Sequence, residues 1–225
     1  MSTIAHNLQH VETRIASACL AAGRDRASVH LLAVSKTFGP QEVRLAHAAG
    51  QRAFGENYIQ EGVDKIQALQ DLDLEWHCIG PIQSNKTRLV ATHFDWVHSI
   101  DRLKTAERLS AQRPTNLLPL QVCIQVNLDG GENKSGVAPD HTLALAQAVA
   151  VLPHLQLRGI MSIPEPGDTT ATRNVHAQAH ALWRRLQASG LALDTLSMGM
   201  TADLELAVAQ GSTMVRVGTA IFGQR

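Results

Sequence analysis

Eight short strand-like runs, several of them rich in Val, Ile and Leu, recur along the chain, separated by alanine-rich stretches that often end at Gly or Pro. This alternation restricts the fold more than any other feature. The runs fall at 30–36, 52–56, 75–80, 96–100, 120–127, 157–163, 195–199 and 214–219. Helical segments are predicted between them at 40–50, 57–70, 82–92, 102–112, 139–152, 171–189 and 201–210. Eight strand–helix alternations predict a closed parallel (β/α)8 TIM barrel, an α/β fold occupying residues 1–225 as one domain. An open doubly wound sheet suits about five to seven strands and usually has a glycine fingerprint after the first. Here the first run ends in Ser35-Lys36-Thr37 instead. Ahead of it, Ile4, Leu8, Val11, Ile15 and Leu20 stand at helical spacing and Gly23 stops the pattern, so an additional N-terminal helix is expected.

The balance of 20 basic and 20 acidic residues gives no broad positive field, so neither nucleic acid nor an anionic membrane is an expected partner. Cys19, Cys78 and Cys123 are odd in number and far apart, which argues against a disulfide framework or a zinc site. The first nine residues contain no apolar signal core, and no window approaches the roughly 18 apolar residues of a membrane span. A small, cytoplasmic, metabolite-handling protein without net charge is the expectation.

In a barrel of this type chemistry gathers at the C-terminal strand ends, and phosphates are often held by the loops after strands seven and eight. Lys36 closes the first strand with the parity of Leu32 and Val34, so it is expected to lean toward the barrel axis. Burial there would disfavour the ammonium form, the condition an amine needs to attack an aldehyde. The competing reading is a lysine that snorkels out of the mouth. Ser197-Met198-Gly199-Met200-Thr201 follows strand seven, and Arg216-Val217-Gly218-Thr219 ends strand eight. Both offer small residues, hydroxyls and backbone N–H groups suited to a phosphate, though an ordinary helix cap and strand-ending glycine would look the same. Arg216 should point inward, where it needs a carboxylate or a ligand atom as acceptor.

Other motifs are weaker. His176 and His180 lie four apart on an outer helix without the glutamate of a zinc-protease motif, and read as surface residues. In 130–136, Asn133 stands where a nucleotide loop requires glycine, so a nucleoside triphosphatase is not expected. A cofactor-free phosphosugar barrel would explain the two phosphate turns equally well. The segment 164–172, with Pro164, Pro166 and Gly167, is expected to be mobile.

The strings LLAVSKTF, FGENYIQE, WHCIGPIQSNK, VNLDGGENKSGV, LRGIMSIP and LSMGMTADLELAVAQGSTMVRVGTAIFG closely resemble the pyridoxal phosphate homeostasis protein family, the YggS/PROSC-like proteins, from about residue 29 onward. The resemblance implies the N-terminal barrel of alanine racemase, PLP fold type III, without that enzyme's C-terminal β domain. It implies pyridoxal 5′-phosphate (PLP) as cofactor, held as a Schiff base on Lys36, with Arg216 facing the pyridine nitrogen. Ser197, Gly199, Met200, Gly218 and Thr219 fall on the family's phosphate-binding turns, and Thr201 stands where relatives commonly have serine. Asn57 and His77 are implied neighbours of the cofactor ring at the mouth.

A charged arginine opposite the ring nitrogen disfavours the protonated pyridine and weakens its electron sink. Racemisation also wants a second acid/base; Tyr58, the single tyrosine, or His77 would have to serve, and both read better as packing or supporting residues. The expectation is therefore a monomeric PLP carrier in vitamin B6 homeostasis, passing cofactor to PLP-dependent apo-enzymes, with no strong catalysis of its own. An amino-acid racemase is the alternative.

Overall fold

The computed structural model describes residues 3–130, 135–165 and 167–224; Asn133 and Pro166, named above, lie outside them. Parallel strands close into a barrel in chain order: β1 (His30–Val34), β2 (Ala53–Glu56), β3 (Glu75–Cys78), β4 (Trp96–Ile100), β5 (Leu120–Gln125), β6 (Leu155–Met161), β7 (Thr195–Ser197) and β8 (Met214–Val217). After α1 (Thr3–Ala21), the surrounding helices are α2 (Pro40–Ala48), α3 (Ile59–Ala68), α4 (Thr87–His93), α5 (Leu103–Gln112), α6 (Thr142–Ala150), α7 (Thr169–Ala188), α8 (Leu204–Ala209) and α9 (Thr219–Phe222).

Strand alternation sorts side chains between two environments. Leu31, Ala33, Trp76, Cys78 and Val97 face outward and join the large apolar cluster beneath the helices. Inside the bore, Trp96, Cys123 and Met161 form a small separate cluster. The rest of the bore is unusually polar, because His77, His98, Ser197 and Arg216 are all buried. Eight strands leave an interior just wide enough for side chains to fill. Register sets these groups side by side: Arg216 pairs with Leu32, His77 with Gly55 and Trp96, and Ser197 with Met161 and Met214.

The differences from expectation lie mostly at element ends. β1 stops at Val34, because Thr37 adopts a left-handed φ of 68° and Phe38 N–H bonds back to Ser35 O, turning the chain out of the barrel. β8 stops at Val217, and a short helix not predicted from sequence begins at Thr219. That helix is anchored by the buried Ile221, by stacking of Phe222 on Phe38, and by Asn7 of α1, whose side chain donates to Ile221 O. Within α1, Ala18 and Cys19 continue the buried stripe while Leu20 is exposed.

Candidate functional site

Lys36 sits on the turn after β1, half-buried at the C-terminal mouth rather than sealed in the bore. Among the described residues its amine makes no hydrogen bond or ion pair. The turn that carries it is clamped from behind. Lys65 of α3 is buried and donates from Nζ to Ser35 O, Glu56 Oε1 and Glu61 Oε1, each at 2.7 Å. Ser35 Oγ donates to Glu56 at 2.6 Å, and Thr37 N–H donates to Glu61. Burial pushes the Glu56 carboxyl up, with the charge of Lys65 opposing it. The residues on either side of Lys36 are therefore held while its own amine projects unengaged. Sequence reasoning missed Glu56, Glu61 and Lys65; the i,i+4 spacing of Glu61 and Lys65 was the available signal.

The two expected turns meet across the mouth. Thr219 Oγ1 donates to Thr201 Oγ1 at 3.2 Å, and Arg216 N–H donates to Gly199 O at 2.9 Å. Gly199 has φ 94°, and a Cβ there would stand 2.4 Å from Ala207 Cβ. Gly218 lies against β1, where a Cβ would come 3.2 Å from Val34 O. Arg14 of α1 supports the first turn by donating to Thr201 O at 2.9 Å and pairing with Glu205.

Met200 differs from expectation: its N–H is taken by Asp203 Oδ1 at 2.7 Å, so that amide is not free for a phosphate. Asp203 also accepts from His176 Nε2 at 2.8 Å. Burial would raise the Asp203 carboxyl, but these hydrogen bonds hold it below the usual carboxylate range. His176 is accordingly a fully buried partner of the turn, not a surface residue, while His180 is partly exposed near Gly211. Among the described residues no cluster could hold a metal ion.

Arg216 points into the bore as expected, but its acceptors are neutral. Nη1 donates to Ser197 Oγ at 2.8 Å and Nη2 to Ser162 O at 2.9 Å. Burial pushes the guanidinium down to about 10, with Asp203 and Cys123 acting the other way, so it keeps its charge at neutral pH. The Ser197 hydroxyl is thus committed to Arg216 and to His98 Nδ1, 2.9 Å away, instead of facing the turns. His77 lies inside the barrel below the mouth, bonded to His98 at 2.9 Å and to Glu75 at 2.8 Å and stacked on Trp96. It is not a residue of the rim.

Asn57 does lie at the mouth, half-buried after β2; its carbonyl presses so close to Gly80 that a Cβ there would come within 2.1 Å of it. Tyr58, next to it, is 55% exposed at the start of α3. Lys36, Asn57, Gly199, Thr201, Gly218 and Thr219 lie on the turns that follow C-terminal strand ends, whereas Ser197, Arg216 and His77 belong to the strands and are buried.

The family model described as alanine racemase, N-terminal domain, matches residues 1–225. Pyridoxal phosphate homeostasis proteins of Pseudomonas aeruginosa and Escherichia coli are 59% and 52% identical to the chain, covering all of it and 97% and 98% of their own lengths. The structure of PipY of Synechococcus elongatus with PLP bound is 42% identical, with a TM-score of 0.82 over 95% of this chain and 100% of PipY. An alanine racemase of Clostridium difficile, 13% identical, superposes with a TM-score of 0.81 over all of this chain and 57% of its own, a likeness of fold alone. With a barrel, a mouth lysine and full-length relatives in agreement, the chain belongs to the pyridoxal phosphate homeostasis protein family, built on the alanine racemase N-terminal fold.

Proposed function

We propose that the chain binds pyridoxal 5′-phosphate through Lys36 Nζ and carries it in vitamin B6 homeostasis, without strong catalysis of its own. The observation that carries this reading is the Lys36 amine, unengaged among the described residues at the barrel mouth while the turn bearing it is fixed by Lys65 and Glu61. When bound, the cofactor supplies an aldehyde that pairs reversibly with amines. The residues present fit it. Thr201, Thr219 and the close-packed backbone at Gly199 and Gly218 suit its phosphate. Arg216 would suit the ring-nitrogen end, Asn57 would border the ring, and Ser162 Oγ, close to Arg216, is buried without a hydrogen-bond partner among the described residues.

One feature favours a carrier over a racemase. Neither side chain expected as a second acid/base is well suited to it: Tyr58 is exposed, and both ring nitrogens of His77 are engaged inside the bore. PLP-dependent apo-enzymes are the proposed recipients. Among the described residues no helix is long and apolar enough to cross a membrane.

Borohydride reduction of the PLP-loaded protein followed by peptide mass spectrometry tests the assignment. The adduct is expected on the peptide containing Lys36 and is expected to vanish in Lys36→Ala. An adduct on a different lysine, or undiminished fixation in that variant, refutes it.

A further inference from the structure

Glu75, His77, His98, Ser197 and Arg216 are joined end to end by hydrogen bonds of 2.8, 2.9, 2.9 and 2.8 Å. The chain of bonds crosses the barrel. Glu75 is half-exposed at the N-terminal face, beside a cavity of about 960 Å3 that His30, Arg52, Trp96 and Arg158 also line. Arg216 stands at the other end, under the C-terminal mouth. The three links between them have no solvent exposure.

Donor inventory gives the bonds a direction. Arginine only donates, so Ser197 Oγ accepts from Arg216 and can donate its own O–H to His98 Nδ1. A neutral His98 accepting at Nδ1 carries its hydrogen on Nε2 and donates to His77 Nδ1. His77 then donates from Nε2 to the Glu75 carboxylate. Every dipole between the guanidinium and the carboxylate then points the same way, and each bond polarises the next. Among the described residues, the ionisable groups that share the bore with His98 are His77 of β3, Cys123 of β5 and Arg216 of β8, with Glu75, Arg158 and Asp194 at its N-terminal end. Burial, His77 and Arg216 together hold the His98 ring far below the ordinary imidazole range, consistent with a neutral link. The hydrogen bond from His77 lowers the Glu75 carboxyl against the effect of burial, consistent with an anionic terminus.

We infer that Glu75, His77, His98 and Ser197 are a positioning chain that aims and polarises the Arg216 guanidinium, with the arginine at one end and the carboxylate at the other giving the chain its direction, so that the placing of this charge beneath the mouth depends partly on the opposite face of the barrel. The inference rests on the reading of Arg216 as the ring-facing residue. It deepens that reading by giving the buried histidines a task. None of the four residues need touch the cofactor.

Two measurements test it. In the protein without cofactor, long-range proton–nitrogen NMR of the imidazoles should show a signal, absent in His98→Asn, from a neutral ring protonated on Nε2 across the neutral and mildly acidic range. A His98 ring protonated on Nδ1, or one titrating in the ordinary range, overturns the direction of the chain. In the PLP-loaded protein, His98→Leu should shift the visible absorption band or its pH profile and weaken cofactor retention by about tenfold, the scale of one buried charge-assisted hydrogen bond. His98→Asn, which retains an acceptor for Ser197, should recover most of the loss. Glu75→Ala, at the far face, should shift the same band, and Glu75→Gln should restore it. Parent-like spectra and retention in both His98→Leu and Glu75→Ala overturn the inference. A parent protein that acquires no band at all refutes the cofactor assignment instead, and the NMR result still decides whether the chain has the stated polarity.

Discussion

Two lysines at one strand end show how position decides what an amine does. Lys36 projects at the mouth, while Lys65 is 4% exposed at its side chain and saturated by Glu56, Glu61 and a carbonyl. Composition cannot tell them apart; burial and partners do. Removing one member of a buried ion pair strands the other charge in a medium that solvates it poorly. Lys65→Met is therefore expected to lower unfolding stability by about 3–5 kcal/mol in urea titrations, and adding Glu56→Gln should return part of the loss. A loss below about 1 kcal/mol would mean that water reaches Glu56 and that the clamp behind Lys36 is weaker than its geometry implies.

Among the elements, the strand cores were legible and their ends were not. Runs of β-branched and aliphatic residues mark strands such as β1, β5 and β8 because both faces of a parallel strand are buried, whereas β2 (AFGE) and β3 (EWHC) are marked mainly by their place in the alternation. The same runs do not reveal where hydrogen bonding stops. β1 ends at Val34 because Thr37 takes a left-handed conformation held through Glu61, and β8 gives way to α9 because Ile221 and Phe222 find apolar partners next to α1. Both are long-range events. The turn from β7 into α8 depends on Gly199, where a positive φ and the nearness of Ala207 each exclude a side chain. Gly199→Ala is expected to cost about 1–3 kcal/mol. Pairing it with Ala207→Gly should relieve the clash but not the backbone strain, so thermal melts should show partial recovery; full recovery would place the whole cost in the clash.

For the whole molecule, a polar bore makes stability depend on pH. Unfolded His98 takes up a proton below its ordinary value of 6.5, whereas the folded ring resists until far lower. The unfolded state binds more protons in that window, so stability should fall as the pH drops below 6.5. Asp203 acts lower: its depressed carboxyl contributes stability above its ordinary 3.8 that is lost as pH falls through the folded value. Urea midpoints measured between about pH 7.5 and about pH 5 should decline in the parent and flatten in His98→Asn; an equal slope in both would assign the acid sensitivity elsewhere. The sequence by itself determined the barrel, the lysine at the end of its first strand, the inward arginine and the two hydroxyl-bearing turns, because alternation and strand order are local or nearly local properties. Only the tertiary structure decided that Ser197 serves Arg216, that Met200 N–H belongs to Asp203, that His176 is buried, and that His77 and His98 bridge Glu75 to the mouth. Those outcomes depend on which side chains closure of the barrel brings within hydrogen-bonding distance, and residues as far apart as His98 and Ser197 carry no mark of that meeting in their own neighbourhoods.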